Sequence, residues 1–293
     1  MYWQEAQDLW LSALQAEGRS PETIKGYRAH LVGFIRWSES TSVTNVEDLT
    51  PFHLRRFLND YAQGRSPRTL RTVYGSLRTL LRWLVAEDIL KASPTDRVKP
   101  PKAAQPSKKA YTPGELKAIF KHLESIKTTL GLRNYALVCL LADCGVRASE
   151  SLSITLDDIQ SGCVLLRETK GKRPRMVALG SRAEKALWHY VVRARPKLKP
   201  QGKNVFLSPN GTPMTRNALQ CVLDGLAKNL GFAVSAHRFR HTWATMMLRK
   251  GVDVETLRRM GGWSDYQMLK TYAHLDVDDL KAAQARYSIL DSL

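Results

Sequence analysis

The sequence predicts a mainly α-helical protein with a small β-sheet, in which an N-terminal helical bundle is followed by an α+β domain. Three observations predict this architecture. Apolar residues recur at spacings of three and four through residues 1–90, which is the period of an α-helix. Residues 91–110 are basic and rich in proline, which is typical of a linker. Two short apolar runs, 163–166 and 175–179, have the composition of β-strands.

The N-terminal region, residues 1–90, contains four predicted helices. The first begins near Trp3, and the others each begin with a hydroxyl residue followed by proline, which combines an N-cap with the residue preferred at the first helical position. These starts are Ser20-Pro21, Thr50-Pro51 and Ser66-Pro67, and the last of them opens the longest helix. Helices joined by short loops predict a compact bundle.

A predicted capping box, Thr112 with Glu115, starts the second domain at 111–293. The apolar stretch 135–141 predicts a buried helix, and 169–174 predicts the turn between the two strands. Helical spacing is also found at 181–195, 215–230, 236–250, 253–260 and 276–288.

The charge of the chain indicates a polyanionic partner. The 293 residues carry a formal net charge of +18, and the pI is about 9.9. Residues 1–100 hold 14 Lys and Arg against 11 Asp and Glu (+3), whereas residues 101–293 hold 31 against 16 (+15). A surplus of this size most often marks a protein that binds nucleic acid. A merely basic, soluble protein is the alternative.

Basic side chains also line the outer face of the fourth helix. Arg71, Arg78 and Arg82 lie seven and four residues apart, so they share one face. A solvated helix surface and a stripe along a DNA phosphate backbone are both compatible with this pattern. The predicted DNA-binding residues are Arg68, Arg71, Arg78 and Arg82, together with Lys172, Arg173 and Arg175 of the predicted hairpin.

The cysteines argue against a metal site and against disulfides. The four are scattered, without a CxxC pair or a histidine spacing that would complete a zinc site. Reduced thiols, an acidic N-terminus and the lack of a long apolar run predict a cytoplasmic protein that needs no metal or cofactor and does not enter a membrane.

Six residues form a set that is suited to metal-free attack on a phosphodiester. They are Arg147, Lys170, His237, Arg240, Trp263 and Tyr272. Two arginines neutralise the non-bridging oxygens, because each planar guanidinium bonds a phosphate in a fork and stays charged. A tyrosine phenol is a nucleophile that forms a covalent ester, and a lysine in a turn is a general acid for the leaving 5′-oxygen.

The supporting assignments in this set are less specific. Glu150 and His241 are predicted to be supporting residues, and Glu150 is predicted to fix the Arg147 guanidinium. Lys172 is an alternative to Lys170 as general acid. His237 is predicted to hydrogen-bond the phosphate or carry a proton, and Trp263 to donate its indole N–H. Ordinary buried histidines at His237 and His241, and a core or stacking role for Trp263, are the alternatives.

The order of these residues resembles the tyrosine recombinase (phage integrase) family. The resemblance is carried by CGVRASESL at 144–152, the lysine hairpin TKGK at 169–172, AHRFRHTWAT at 236–245, GGWS at 261–264 and KTYAH at 270–274. It covers nearly the whole chain, with residues 1–90 similar to the family's core-binding, SAM-like domain and the remainder similar to its catalytic domain. The sequence departs from the family pattern at Trp263, where histidine is usual, so a proton-transfer role is excluded there.

The resemblance implies a site-specific recombinase that cleaves double-stranded DNA at a specific site. Tyr272 would form a 3′-phosphotyrosyl link, and strands would exchange through a Holliday junction. Integration or excision of a phage or mobile element is the expected role, and Xer-like dimer resolution and DNA inversion are alternatives. The alternative functions are those of a type IB topoisomerase and of a non-catalytic DNA-binding protein.

The tail at 276–293 carries an apolar stripe at helical spacing. It predicts either docking on its own domain or exchange onto a neighbouring protomer, which would give a homo-tetramer on two DNA sites.

Overall fold

The computed structural model describes residues 1–102, 109–167 and 174–266. The chain divides into two compact units, Met1–Pro106 and Ser107–Leu293. The described residues are mainly helical and include one three-stranded antiparallel sheet. The predicted fold class, mainly α with a small β-sheet, is therefore confirmed.

The first unit contains four α-helices among its described residues. They are α1 (Trp3–Ala16), α2 (Pro21–Glu39), α3 (Pro51–Ala62) and α4 (Pro67–Ala86). The three predicted starts are confirmed, because the side chains of Ser20, Thr50 and Ser66 each accept a hydrogen bond from a backbone N–H in the first helical turn. Each cap satisfies a donor that has no partner inside the helix.

Aromatic and leucine side chains from all four helices form the core of this unit. Phe34 on α2 lies at its centre, with its ring centroid 4.6 Å from that of Trp3 and 5.0 Å from that of Phe57. Leu77 and Leu81 of α4 are fully buried beside them. The burial of one stripe on each helix leaves the opposite face of α4 to solvent, and that face carries the predicted basic residues.

The prediction of an extended linker at 91–110 is wrong for part of this segment. Pro94–Arg97 forms a 3₁₀ turn that packs on the bundle. The Tyr74 hydroxyl lies 2.6 Å from the Val98 carbonyl oxygen, and Val98 is buried in the core of the first unit. The hydroxyl of the buried Tyr74 on α4 thus fixes this segment to the bundle. The prolines and charges of the segment did not predict this packing, because the packing depends on a helix that is distant in sequence.

The second unit contains seven α-helices and three strands among its described residues. The helices are α5 (Pro113–Ser125), α6 (Thr129–Cys144), α7 (Ala148–Ser153), α8 (Ser181–His189), α9 (Arg216–Leu230), α10 (Ala236–Arg249) and α11 (Val254–Gly261). The strands are β1 (Ile159–Gln160), β2 (Cys163–Leu166) and β3 (Arg175–Ala178). Helix α8 continues into a π-helical turn, Tyr190–Ala194, and a 3₁₀ turn, Arg195–Leu198.

Helix α6 is the central element of this unit. Leu137 and Leu141 are fully buried, and the helix packs against α5, α8 and α10. The sheet has the order β1-β2-β3, with Val164 of β2 paired to Val177 of β3. Sequence reasoning predicted β2 and β3 but missed β1, because two residues are too short to show an alternating pattern. The turn that follows α6 and the start of β3 both carry residues of the candidate site.

No helix within residues 1–102, 109–167 and 174–266 is both long and apolar enough to cross a bilayer.

Candidate active site

A left-handed turn places Arg147. Helix α6 ends at Cys144, and Gly145 follows with φ +57°, a conformation that glycine adopts without a steric cost. A Cβ at this position would lie within 2.1 Å of the Trp243 ring, so the turn needs glycine for space as well. The chain then reverses, and Arg147 becomes the N-cap of the short helix α7.

Glu150 holds Arg147 from the next turn of α7. The Arg147 Nη1 group donates to Glu150 Oε1 at 2.6 Å, and the Arg147 backbone N–H donates to Oε2 at 2.8 Å. The Glu150 side chain is 0% exposed, whereas that of Arg147 is 26% exposed. The predicted contact between these two residues is therefore present. The buried carboxylate holds the Arg147 guanidinium in a position that is partly open to solvent.

The pKa of Glu150 is lowered to about 2. Burial by itself raises this pKa, because it disfavours the charged carboxylate. Hydrogen bonds from the Arg175 and Arg147 side chains and from the Arg147 backbone N–H, with the charge of Arg175, outweigh the burial. Glu150 therefore stays ionised throughout the physiological range.

Arg240 lies on α10 and is fixed by two backbone carbonyls. Its Nη1 donates to the Gly145 oxygen and its Nη2 to the Gly261 oxygen, both at 2.7 Å. Arg147 reaches the adjoining carbonyl, with its Nη2 donating to the Gly262 oxygen at 3.3 Å. The two arginines, which are 93 positions apart in sequence, therefore meet at the turn that ends α11.

Trp263 lies directly beneath Arg240. The Arg240 guanidinium carbon is 4.2 Å from the Trp263 ring centroid, which is a cation–π arrangement. The Trp263 ring also stacks on Trp243 with a centroid separation of 6.0 Å. Trp263 is only 5% exposed and belongs to a small apolar cluster with Trp243 and Leu257. This packing supports the core alternative for Trp263.

The two histidines lie on α10 with Arg240. His237 is exposed and one turn before Arg240, whereas His241 is half-buried and next to it. The alternative that both are ordinary buried histidines is therefore wrong for His237. The Ser235 side chain caps this helix by accepting from the Arg238 N–H, and a cap at this end fixes the turn that presents His237.

Other predicted site residues lie outside the described residues. They are Lys170, Lys172, Arg173, Tyr272 and the tail at 276–293. The structure thus brings together Arg147, Glu150, Arg240 and Trp263, with His237 and His241 on the same helix as Arg240.

Arg175 differs from its prediction as a DNA contact. Its Nη1 and Nη2 donate to the two oxygens of Glu150 at 3.0 and 2.8 Å, and its Nε donates to the Met260 carbonyl at 3.2 Å. Only 12% of its side chain is exposed. Internal pairing is the role that this geometry supports, because the buried Glu150 carboxylate accepts from two of the guanidinium nitrogens and the Met260 carbonyl accepts from the third.

Sequence reasoning also missed Trp243. Trp243 packs on Gly145 and stacks on Trp263, so it touches the supports of both arginines. A signal was present in the sequence, since Trp243 lies three residues after Arg240 and therefore near it on one helix. A tryptophan at this spacing normally predicts a core residue, and Trp243 is indeed buried.

The predicted basic stripe on α4 lies in the first unit. Arg68, Arg71 and Arg82 are exposed, and Arg78 is half-buried. Within the described parts of the chain, the Arg78 Nε is buried without a hydrogen-bond partner. Arg78 lines a cleft of about 390 Å³ together with Arg97 and Lys99. Of these basic residues, the sequence prediction included only the ones on α4.

No group of three or more His, Cys, Asp or Glu side chains suited to a metal ion is found in residues 1–102, 109–167 and 174–266.

Two family profiles match the chain. The Phage integrase family matches residues 109–278, and the Phage integrase, N-terminal SAM-like domain matches residues 8–88. The chain therefore belongs to the phage integrase family of tyrosine recombinases, which are enzymes that break and rejoin DNA strands.

Relatives of similar length support this assignment. Tyrosine recombinase XerC of Bacillus pumilus is 31% identical over 283 residues, covering 93% of this chain and 92% of the relative. Tyrosine recombinase XerD of Corynebacterium glutamicum is 29% identical over 285 residues, covering 93% and 94%. The XerH site-specific recombinase bound to palindromic difH substrate shares the fold, with a TM-score of 0.74 at 20% identity over 94% of this chain and 82% of the other.

Proposed function

We propose that this enzyme is a site-specific recombinase whose nucleophile is Tyr272. The convergence of Arg147 and Arg240 carries the proposal, because two fixed guanidinium groups at one turn are suited to clamp both non-bridging oxygens of a single phosphate. Glu150 and the carbonyls of Gly145 and Gly261 hold these cations before DNA arrives. Such preorganisation stabilises the transition state at no cost of reorientation during the reaction.

The proposed cleavage step exchanges one bond to phosphorus and moves two protons. The Tyr272 phenol gives its proton to solvent and its oxygen bonds the scissile phosphorus, while the bond from phosphorus to the 5′-oxygen breaks. Lys170, or Lys172, gives a proton to the leaving 5′-oxygen. His237 and the indole N–H of Trp263 are further proposed donors to the phosphate oxygens. The step is reversible because the phosphotyrosyl link is itself a phosphodiester and retains the energy of the broken bond. Attack on this link by the 5′-hydroxyl of a partner strand completes the exchange.

The proposed substrate is double-stranded DNA that carries a specific site. The basic residues of α4, with Lys172 and Arg173, are proposed to contact the phosphate backbone. A homo-tetramer on two synapsed sites, joined through the tail at 276–293, is the proposed assembly. A DNA substrate supports the predicted cytoplasmic location.

For the biological role we propose Xer-like recombination between two copies of a site. The full-length similarity to XerC and XerD proteins supports this role. Integration or excision of a phage or mobile element remains a prediction. A plasmid that carries two copies of the site tests strand exchange, because recombination between the two copies deletes or inverts the intervening DNA. Relaxation without such products would instead indicate a topoisomerase.

Covalent capture tests the chemistry. The protein is incubated with fragmented DNA from its source organism, denatured and recovered, and the DNA that stays attached is sequenced. A duplex with this sequence and a nick beside the cleavage point should accumulate the adduct, because the short cleaved strand diffuses away. Tyr272→Phe should abolish the adduct, whereas Tyr2→Phe, which changes an exposed tyrosine of the first unit, should form it normally. A Tyr272→Phe protein that still forms the adduct would refute the assignment.

A further inference from the structure

Arg175 shares a buried carboxylate with Arg147. Glu150 Oε1 accepts from the Nη1 groups of both arginines, and Glu150 Oε2 accepts from Arg175 Nη2 and from the Arg147 backbone N–H. We propose that Arg175 is a positioning residue for phosphoryl transfer, which acts by balancing the charge of Glu150 so that Arg147 remains an effective cation. The inference rests on the proposed function, in which Arg147 binds the scissile phosphate.

The charge balance of this triad supports the proposal. Glu150 alone with Arg147 would form a neutral pair, and a neutral pair stabilises developing negative charge on a phosphate poorly. Arg175 adds a second cation, so the triad carries a net charge of +1 at neutral pH. The carboxylate can then orient Arg147 without cancelling its charge.

The exposure of the two arginines shows where this surplus charge is presented. The Arg175 side chain is 12% exposed and the Arg147 side chain is 26% exposed, while Glu150 is completely buried. Both Nη groups of the Arg175 guanidinium donate to this carboxylate. The positive charge that remains accessible is therefore mainly that of Arg147.

Arg175 also supports the turn at which the two site arginines meet. Its Nε donates to the Met260 carbonyl, and the carbonyls of the next two residues, Gly261 and Gly262, accept from Arg240 and Arg147. A Cβ on Gly262 would lie 2.7 Å from Arg175 Nη1, so a side chain at this position would displace the guanidinium. One side chain of β3 thus contacts the carboxylate behind Arg147 and the turn that receives both arginines.

The alternative is that Arg175 forms a purely structural salt bridge with Glu150. A substrate whose scissile group is neutral distinguishes this alternative from the charge-balance role. In a methylphosphonate, a methyl group replaces one non-bridging oxygen, so the scissile group carries no negative charge and needs less neutralisation by Arg147. A defect that acts through the charge of Arg147 should shrink on this substrate. A general loss of folding or geometry should slow both substrates equally.

The experiment measures the single-turnover rate of adduct formation on nicked duplexes of the captured sequence, with a phosphate or a methylphosphonate at the cleavage point. We expect Arg175→Met to slow the phosphate reaction roughly 100-fold, comparable to the removal of one transition-state donor, and to slow the methylphosphonate reaction less than about 5-fold. Arg147→Ala should give the same pattern. Equal slowing by Arg175→Met on both substrates, or no slowing, overturns the inference.

A double variant provides a second test that is insensitive to general weakening. Glu150→Gln combined with Arg175→Met removes the carboxylate and its second counter-cation together, which leaves Arg147 as the single charge. The double variant should therefore cleave the phosphate duplex faster than Arg175→Met alone. A double variant as slow as Arg175→Met, or slower, contradicts the charge-balance role. If the native protein forms no adduct on either duplex, the proposed function itself has failed.

Discussion

The arginines of α4 and those of the candidate site are held in opposite ways. Along α4, the side chains of Arg68, Arg71 and Arg82 are exposed and make no ion pair within the described residues. In the site, Arg240 is 4% exposed and bonded to two carbonyls, and Arg147 is bonded to a buried carboxylate and a carbonyl.

This difference matches the two uses that we propose for the arginines, which are contact with the DNA backbone on α4 and binding of the scissile phosphate in the site. A contact that only neutralises a DNA phosphate tolerates a flexible side chain, because the energy comes largely from counterion release. A contact that stabilises a transition state must already be oriented, since reorganisation during the reaction would add to the barrier. The Gly145 turn, Glu150 and the Trp263 ring supply that orientation.

Loss of a preorganised arginine should have the largest effect. Arg240→Ala removes a proposed transition-state contact, so we expect adduct formation to slow by about 10³-fold, comparable to losing an oxyanion donor. The rate is measured on the nicked duplex at saturating protein. Arg193→Ala, which changes an exposed arginine of the same unit, serves as the control and should react within about 2-fold of the native rate. An Arg240→Ala rate within 10-fold of the native rate would contradict the proposed distinction between the arginines of the site and those of α4.

The support beneath the site is predicted to be sensitive to a single methyl group. Gly145→Ala combines a left-handed φ with a clash against Trp243, so we expect a loss of about 3 kcal/mol in the free energy of unfolding. Gly162→Ala is the matched control, because Gly162 has φ +68° but no neighbour within 4 Å of a new Cβ. It should cost about 1 kcal/mol. Urea unfolding measures both, and equal losses would show that the Trp243 contact does not matter.

The buried carboxylate predicts a pH dependence. The pKa of Glu150 is about 2 in the folded chain against an ordinary value of 4.5. A lowered folded-state pKa contributes stability that is complete above about pH 5.5 and is lost as the pH falls from about 4.5 toward 2. The contribution is about 3 kcal/mol at neutral pH.

The measurement compares unfolding of the native protein and Glu150→Gln between pH 7 and pH 3. The stability advantage of the native protein should shrink as the pH falls through this window, because the glutamine does not titrate. A constant difference would show that Glu150 has an ordinary pKa.

The smallest expected effects belong to α4. Arg71→Ala should weaken DNA binding only a few-fold and lower the slope of log affinity against log salt by about one, as for one lost phosphate contact. Arg28→Ala is the control, because Arg28 is already paired with Asp8 at 2.9 Å. Its slope should be unchanged. Titrations of labelled duplex from 50 to 300 mM salt provide the data, and identical slopes for both variants would contradict the proposed stripe.

Local signals in the sequence predicted much of the architecture. The hydroxyl-proline pairs at Ser20, Thr50 and Ser66 gave three helix starts correctly, because capping uses hydrogen bonds within one turn. The contact between Arg147 and Glu150 was also predictable, since three residues separate them. By contrast, the docking of Val98 on the bundle and the strand β1 were missed, as both depend on partners that no local pattern reveals.

The sequence by itself therefore determined the fold class, the family and the two arginines, Arg147 and Arg240, that the folded chain brings together, because periodicity, caps and motif order are written in neighbouring residues. The tertiary structure decided how those arginines are held. Arg175 looked like another basic residue of a hairpin, and only the folded chain brings its guanidinium onto Glu150 and the turn after Met260. Burial makes the difference, because a carboxylate removed from water is strongly destabilising unless the fold supplies cations and hydrogen-bond donors to it.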